Sequence, residues 1–315
     1  MLSGAPWELL TLVAKLLTYL AFVSLSGGVF VLFLGAVLGS GGSNRSLLQF
    51  WSVAARRDLL KGLMLMALVG LLAIPLYFFL QVGLLNQNGL RGMFDPFMAT
   101  IVLQSSIAYG LALKFLGLLL PALGLVLLWR SDRLLSPGSA WLVPLILAWA
   151  VGVLLFGLSF VVLGHVANLA PWARSLIVLH TAAIGLWIGA FWPFYRLCQT
   201  EQARVLLPLL RCFGVWGWGI SSVLLLSGSV LLLQLLDTPR ELFDSPYGLF
   251  LLLKILLVMA LLGLGALNKF RLVPALEQAG TGILRRSLAA EMALAMLILL
   301  LTAVLTTLVG PVHMS

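Results

Sequence analysis

The sequence predicts an all-α polytopic membrane protein, a bundle of eight transmembrane helices, and three observations carry that expectation. Of its 315 residues 62% are hydrophobic and only 9% charged, whereas roughly a quarter of a soluble domain is charged. The apolar residues gather in runs of the length needed to cross a hydrocarbon core about 30 Å thick. Between the runs stand short polar segments, none long enough for a soluble domain. Soluble enzyme folds are excluded, and a single membrane domain over residues 1–315 is expected.

The first run, over 11–39, ends at Gly41-Gly42-Ser43-Asn44-Arg45. It lacks the basic n-region of a signal peptide and outruns an h-region, so it is expected to remain as a helix. The second, 59–83, stops at Asn86-Gln87-Asn88-Gly89, and the third, 97–128, at Arg130-Ser131-Asp132-Arg133. The fourth covers 141–164. The fifth, 174–198, follows Pro171-Trp172, a plausible first turn. The sixth, 212–236, ends at Asp237-Thr238-Pro239-Arg240, and the last two are 248–268 and 287–310.

Charge sets the orientation. The net charge of +9 would suggest a nucleic-acid partner in a soluble chain. In a membrane chain it marks cytoplasmic loops instead, and no nucleic acid is expected. Thirteen Lys and Arg residues flank the 1–2, 3–4, 5–6 and 7–8 loops; four (Lys15, Arg91, Arg174, Arg240) lie on the other side. Both termini are therefore expected outside the cytoplasm, with the loops between odd and even helices inside it.

This orientation places all three histidines on the external side: His165 at the end of helix 4, His180 about two turns into helix 5, and His313 in the C-terminal tail. The short 4–5 loop makes those helices antiparallel neighbours and can bring His165 and His180 to similar depth. Ionisable groups in a bilayer are costly and tend to mark function, and imidazole binds copper, zinc and haem iron. The plain alternative is a histidine that only bonds a neighbouring helix.

Other candidates are weaker. Met93, Met98 and Met314 are external, and Met64, Met66, Met292 and Met296 lie toward the cytoplasmic face; such residues are usually packing filler. Cys198 and Cys212 bracket the 5–6 loop on the reducing side, where a disulfide is not expected. Every carboxylate, Glu291 included, reads as lying in a loop or near a helix end, which leaves no proton relay at the membrane centre. No phosphate-binding loop or Cys-x-x-Cys pair occurs. Lys114 falls deep in helix 3, where it needs a partner, and Gly185-x-x-x-Gly189 has the spacing of a close helix contact. Trp187 shares a helix face with His180, to wall a pocket or to pack.

Several segments taken together carry a resemblance. Gly164-His165-Val166-Ala167 is followed by the stretch from His180 to Gly189, then by Arg211-Cys212-Phe213 and Tyr247 to Lys254. After these stand Asn268-Lys-Phe-Arg-Leu-Val-Pro274, Leu284-Arg-Arg-Ser-Leu-Ala-Ala-Glu291 and Val304 to Pro311. In order and spacing they resemble the CopD copper-resistance family of bacterial inner-membrane proteins, most strongly over 160–311. The resemblance implies copper carried across the inner membrane, His165 and His180 as its membrane ligands, and His313 as a contribution from the tail. It also implies a separate periplasmic partner of the CopC type.

Three functions follow. The first is a non-enzymatic protein that accepts copper, as Cu(I) within the membrane, at a periplasmic site and passes it to the cytoplasm for copper resistance and homeostasis. The membrane potential alone favours that direction by about 2.3 kcal/mol per charge per 100 mV. The alternative is a haem-binding cytochrome or haem carrier with paired histidine ligands. The third is a scaffold for a periplasmic partner.

Overall fold

The computed structural model describes residues 5–39, 52–131, 139–163, 170–235, 238 and 240–308. Among them the chain is helical, with no strand. The long helices are α1 (Ala5–Gly39), α2 (Val53–Asn86), α3 (Ser106–Arg130), α4 (Leu142–Val162), α5 (Pro171–Ile188), α6 (Phe191–Thr200), α7 (Ala203–Leu235), α8 (Pro246–Leu267) and α9 (Thr281–Leu305). With α5 and α6 forming one span, eight helices are long and apolar enough to cross a membrane. The chain is a multi-pass membrane protein. Eight passes bring residues 5 and 305 to one end of the bundle, the terminal end.

α1 is the axis. In its most apolar window 83% of the residues are buried, against 39% or less in each other span. α2, α5 and α9 pack around it, and α3 pairs with α4 on one flank. Phe22 of α1 stacks on Phe156 of α4 with ring centroids 4.0 Å apart. At the terminal end Lys15 Nζ donates to the Thr306 carbonyl at 2.9 Å and to Thr307 Oγ1 at 3.1 Å, joining α1 to the end of α9. At the opposite end Arg196 grips Asp58 with two parallel bonds of 2.8 and 2.9 Å, tying α6 to α2.

Two spans that read as continuous apolar runs are broken. The third run divides into a short helix, Pro96–Leu103, and α3. Ser105 is extended there, and its hydroxyl accepts from the Ile107 amide at 3.2 Å, so it caps α3 instead of continuing the helix. The fifth run turns at Gly189-Ala190. A Cβ on Gly189 would run into the Val23 carbonyl of α1, and one on Gly185 would lie 2.8 Å from the Ser26 Cβ. The Gly185–Gly189 pair is therefore a close-packing face, as its spacing predicts.

Lys114 has its account here. It is buried, and its ammonium faces three rings, with Nζ 5.0 Å from the centroid of Phe160, 5.8 Å from Tyr19 and 5.9 Å from Phe156. The negative faces of the rings supply the attraction that a carboxylate would otherwise give.

Candidate metal site and the neighbouring cavity

His180 lies about 13 Å along α5 from Pro171 at 1.5 Å per residue and faces α7. Its Nδ1 is 3.0 Å from Ser227 Oγ. The Ser227 hydroxyl is itself 2.5 Å from the Val223 carbonyl and 3.3 Å from that of Leu224. Its single proton is thus committed to the backbone of α7, and toward the imidazole it acts as acceptor. With the ring proton on Nδ1, the tautomer this arrangement matches, the lone pair is left on Nε2. A metal-ligating histidine is oriented in the same way, by a hydrogen bond at the nitrogen that does not bind. Gly228 makes room for the ring, since a Cβ there would come within 2.9 Å of its Cε1.

His165 and His313 lie outside the described residues, as does Met314. Among the described residues no three His, Cys, Asp or Glu side chains gather as a metal site. Met93 packs with Leu80 and Ala14 in a small apolar cluster. Cys198 and Cys212 are free thiols, the first buried.

Below His180, toward the opposite end of the bundle, lies a cavity of about 640 Å³ between α5–α6, α7, α8 and α9. Trp187, two turns beyond His180 on the same helix face, forms part of its wall. Most of the wall is apolar; Ser221, Ser222, Arg211, Asn268, Lys269 and Glu291 are its polar members. The Asn268–Pro274 segment supplies two of them, Asn268 and Lys269, because α8 ends in a π-helical turn, Asn268–Leu272, in which the Val273 amide bonds back to the Asn268 carbonyl at 2.8 Å. Such turns re-aim side chains and recur at functional sites. This one turns Asn268 inward and sets Lys269 Nζ 4.6 Å from the Trp218 ring centroid, where it also bonds the Gly214 carbonyl.

Glu291 corrects the sequence reading. It is 2% exposed and stands about 15 Å along α9 from Thr281. The Asn268 amide donates to its carboxyl, and among the described residues the buried Asn268 Oδ1 has no hydrogen-bond partner. The sequence placed the start of the last span at 287, which put Glu291 in a first turn. α9 begins at Thr281 instead, six positions earlier, and that shift carries the carboxylate into the span. A charge among Leu284, Leu288 and Ala295 at helical spacing was the available signal.

Segments that carry the resemblance therefore meet in one place: Trp187, Arg211, Phe213, Asn268, Leu284 and Glu291 all line the cavity. No solved structure matches the chain. The copper transport protein CutJ of Bacillus subtilis (strain 168) is 30% identical over 188 residues, which are 58% of this chain and 33% of that protein. The chain thus spans about a third of that relative's length. Residues 207–305, which comprise nearly all of α7 and the whole of α8 and α9, match the family described as CopD, copper resistance protein D.

Proposed function

We propose that the chain is an inner-membrane copper carrier. Copper is accepted at the terminal end, by His180 together with His165 and with His313 from the tail, and moves as Cu(I) toward the opposite end. The observation that carries this reading is the His180–Ser227 bond, which orients an imidazole inside a membrane helix as the second hydrogen bond of a metal-ligating histidine does. The likeness to copper resistance protein D and to a copper transport protein supports the choice of metal. The excess of Lys and Arg at the opposite end supports periplasmic termini and inward transport down the membrane potential. A periplasmic protein of the CopC type would deliver the ion to the site, and the bilayer is the second partner. The haem alternative gains nothing from either comparison.

Metal analysis of the purified protein, with and without His165 and His180, tests site and ligand together. Copper bound by the intact chain and lost from the variants supports the reading, whereas a Soret band would replace it with the haem alternative.

A further inference from the structure

Glu291 and Asn268 have no part in copper capture as described, yet they are the most costly pair of side chains in the cavity. Both are buried, at 2% and 8% exposure. The Asn268 amide N–H donates to the Glu291 carboxyl, but a carboxylate offers only acceptors, so an ionised Glu291 returns no donor to Asn268 Oδ1. A carboxylic acid supplies the missing O–H.

The charged and titratable groups around the pair are few. Arg211 of α7 and Lys269 of the π turn share the cavity, and Lys269 is engaged by Trp218 and the Gly214 carbonyl. From α6 the nearby faces are Phe191 and Phe194, with Cys198 buried further along and Arg196 paired to Asp58. On α9 the next charges, Arg285 and Arg286, lie toward the helix start. α1 contributes Lys15, held at the terminal end by Thr306 and Thr307, and α8 contributes Lys254, which also lies in its terminal half. The short helix Leu276–Ala279 carries Glu277, which is exposed. Among the described residues Glu291 makes no salt bridge.

The geometry points to Glu291 and Asn268 as a proton–cation exchange site on the cavity wall. Glu291 rests as the neutral acid, its O–H directed at Asn268 Oδ1. A monovalent cation entering the cavity takes the place of that proton against the carboxylate and Asn268 Oδ1, with the Ser221 and Ser222 hydroxyls available as further oxygen donors. The O–H bond breaks, the proton leaves through the cavity, and the carboxylate keeps the electron pair. The site is neutral before and after, so a low-dielectric position can alternate between the two states without holding a net charge. Oxygen donors hold soft Cu(I) weakly, which suits a place of passage and not of storage. This step rests on the reading of the chain as a carrier of Cu(I).

The test uses the full chain in nanodiscs under anaerobic conditions. Dicyclohexylcarbodiimide, which modifies protonated carboxyls in apolar surroundings, is added with and without excess Cu(I), and modified peptides are identified by mass spectrometry. Glu291 should be labelled, and Cu(I) should lower its labelling several-fold. An unlabelled Glu291 would overturn the neutral resting form. Undiminished labelling in a sample that binds Cu(I) at its histidines would overturn the exchange and leave the carrier reading standing. A chain that binds no Cu(I) would overturn the carrier reading and the exchange with it. All three outcomes are read on the unmodified sequence, so none depends on a variant that fails to fold.

Discussion

The imidazole of His180 and the hydroxyl of Ser227 are joined across α5 and α7 by a 3.0 Å bond, and the same hydroxyl bonds the Val223 carbonyl of its own helix. A serine in an apolar helix thereby orients a histidine on its neighbour. Substituting Ser227→Ala should leave the helices packed while freeing the ring to rotate and change tautomer. Loss of such an orienting bond typically costs about 10–100-fold in metal affinity, measurable by competition with a chromophoric Cu(I) chelator. Gly228→Ala should produce a similar loss, because the added Cβ lies 2.9 Å from the ring Cε1 and must turn it.

Lys114 gives a prediction about stability. A buried ammonium facing aromatic rings carries a desolvation cost that an apolar residue of similar length does not. Lys114→Met should therefore leave thermal stability in detergent unchanged or raised. Phe160→Leu should cost about 1 kcal/mol more with Lys114 present than in the Lys114→Met background, which is the cation–π contribution isolated by a double-mutant cycle.

The contact between α1 and α5 should be intolerant of bulk. Gly189→Ala would set a methyl group into the Val23 carbonyl, so most of the protein should fail to fold. Gly217→Ala and Gly219→Ala, where a Cβ meets nothing within 4 Å, should be neutral or slightly stabilising. Recovery of monodisperse protein after extraction distinguishes the two classes.

The eight spans were legible because hydropathy and length are what a bilayer demands of a helix. Which span sits at the centre was not. Lipid is as apolar as leucine, so burial against protein leaves little trace in hydrophobicity, and α1 reads much like α8 although one is enclosed and the other peripheral. The break at Ser105 depends on a single hydroxyl cap within an apolar run. Glu291 was hidden by a helix start placed six positions late. His180 was legible as a rare ionisable group in a membrane helix, but its orientation depends on Ser227, a contact between residues 47 apart that no local pattern announces.

Sidedness is open to direct measurement. With periplasmic termini, a tag after Ser315 should react in intact spheroplasts. Cys198 and Cys212, at the opposite end of the bundle, should be labelled only by a permeant thiol reagent. Both should titrate as reduced thiols, and replacing both with Ser should leave copper binding unchanged. A tag reached only from the cytoplasm would reverse the direction of transport.

Copper content across a small variant series tests the histidine site most directly: the intact chain, His165→Ala, His180→Ala, His313→Ala, Met64→Leu and Met66→Leu, each purified folded and loaded with Cu(I). Cu(I) is satisfied by two or three soft or imidazole donors, so removing either His165 or His180 should leave too few and abolish most high-affinity binding. His313→Ala should cost less, since a tail ligand must first be ordered, and the two methionine variants should change little. Equal, small losses at all five positions would contradict a discrete histidine site and leave a scaffold in place of a carrier.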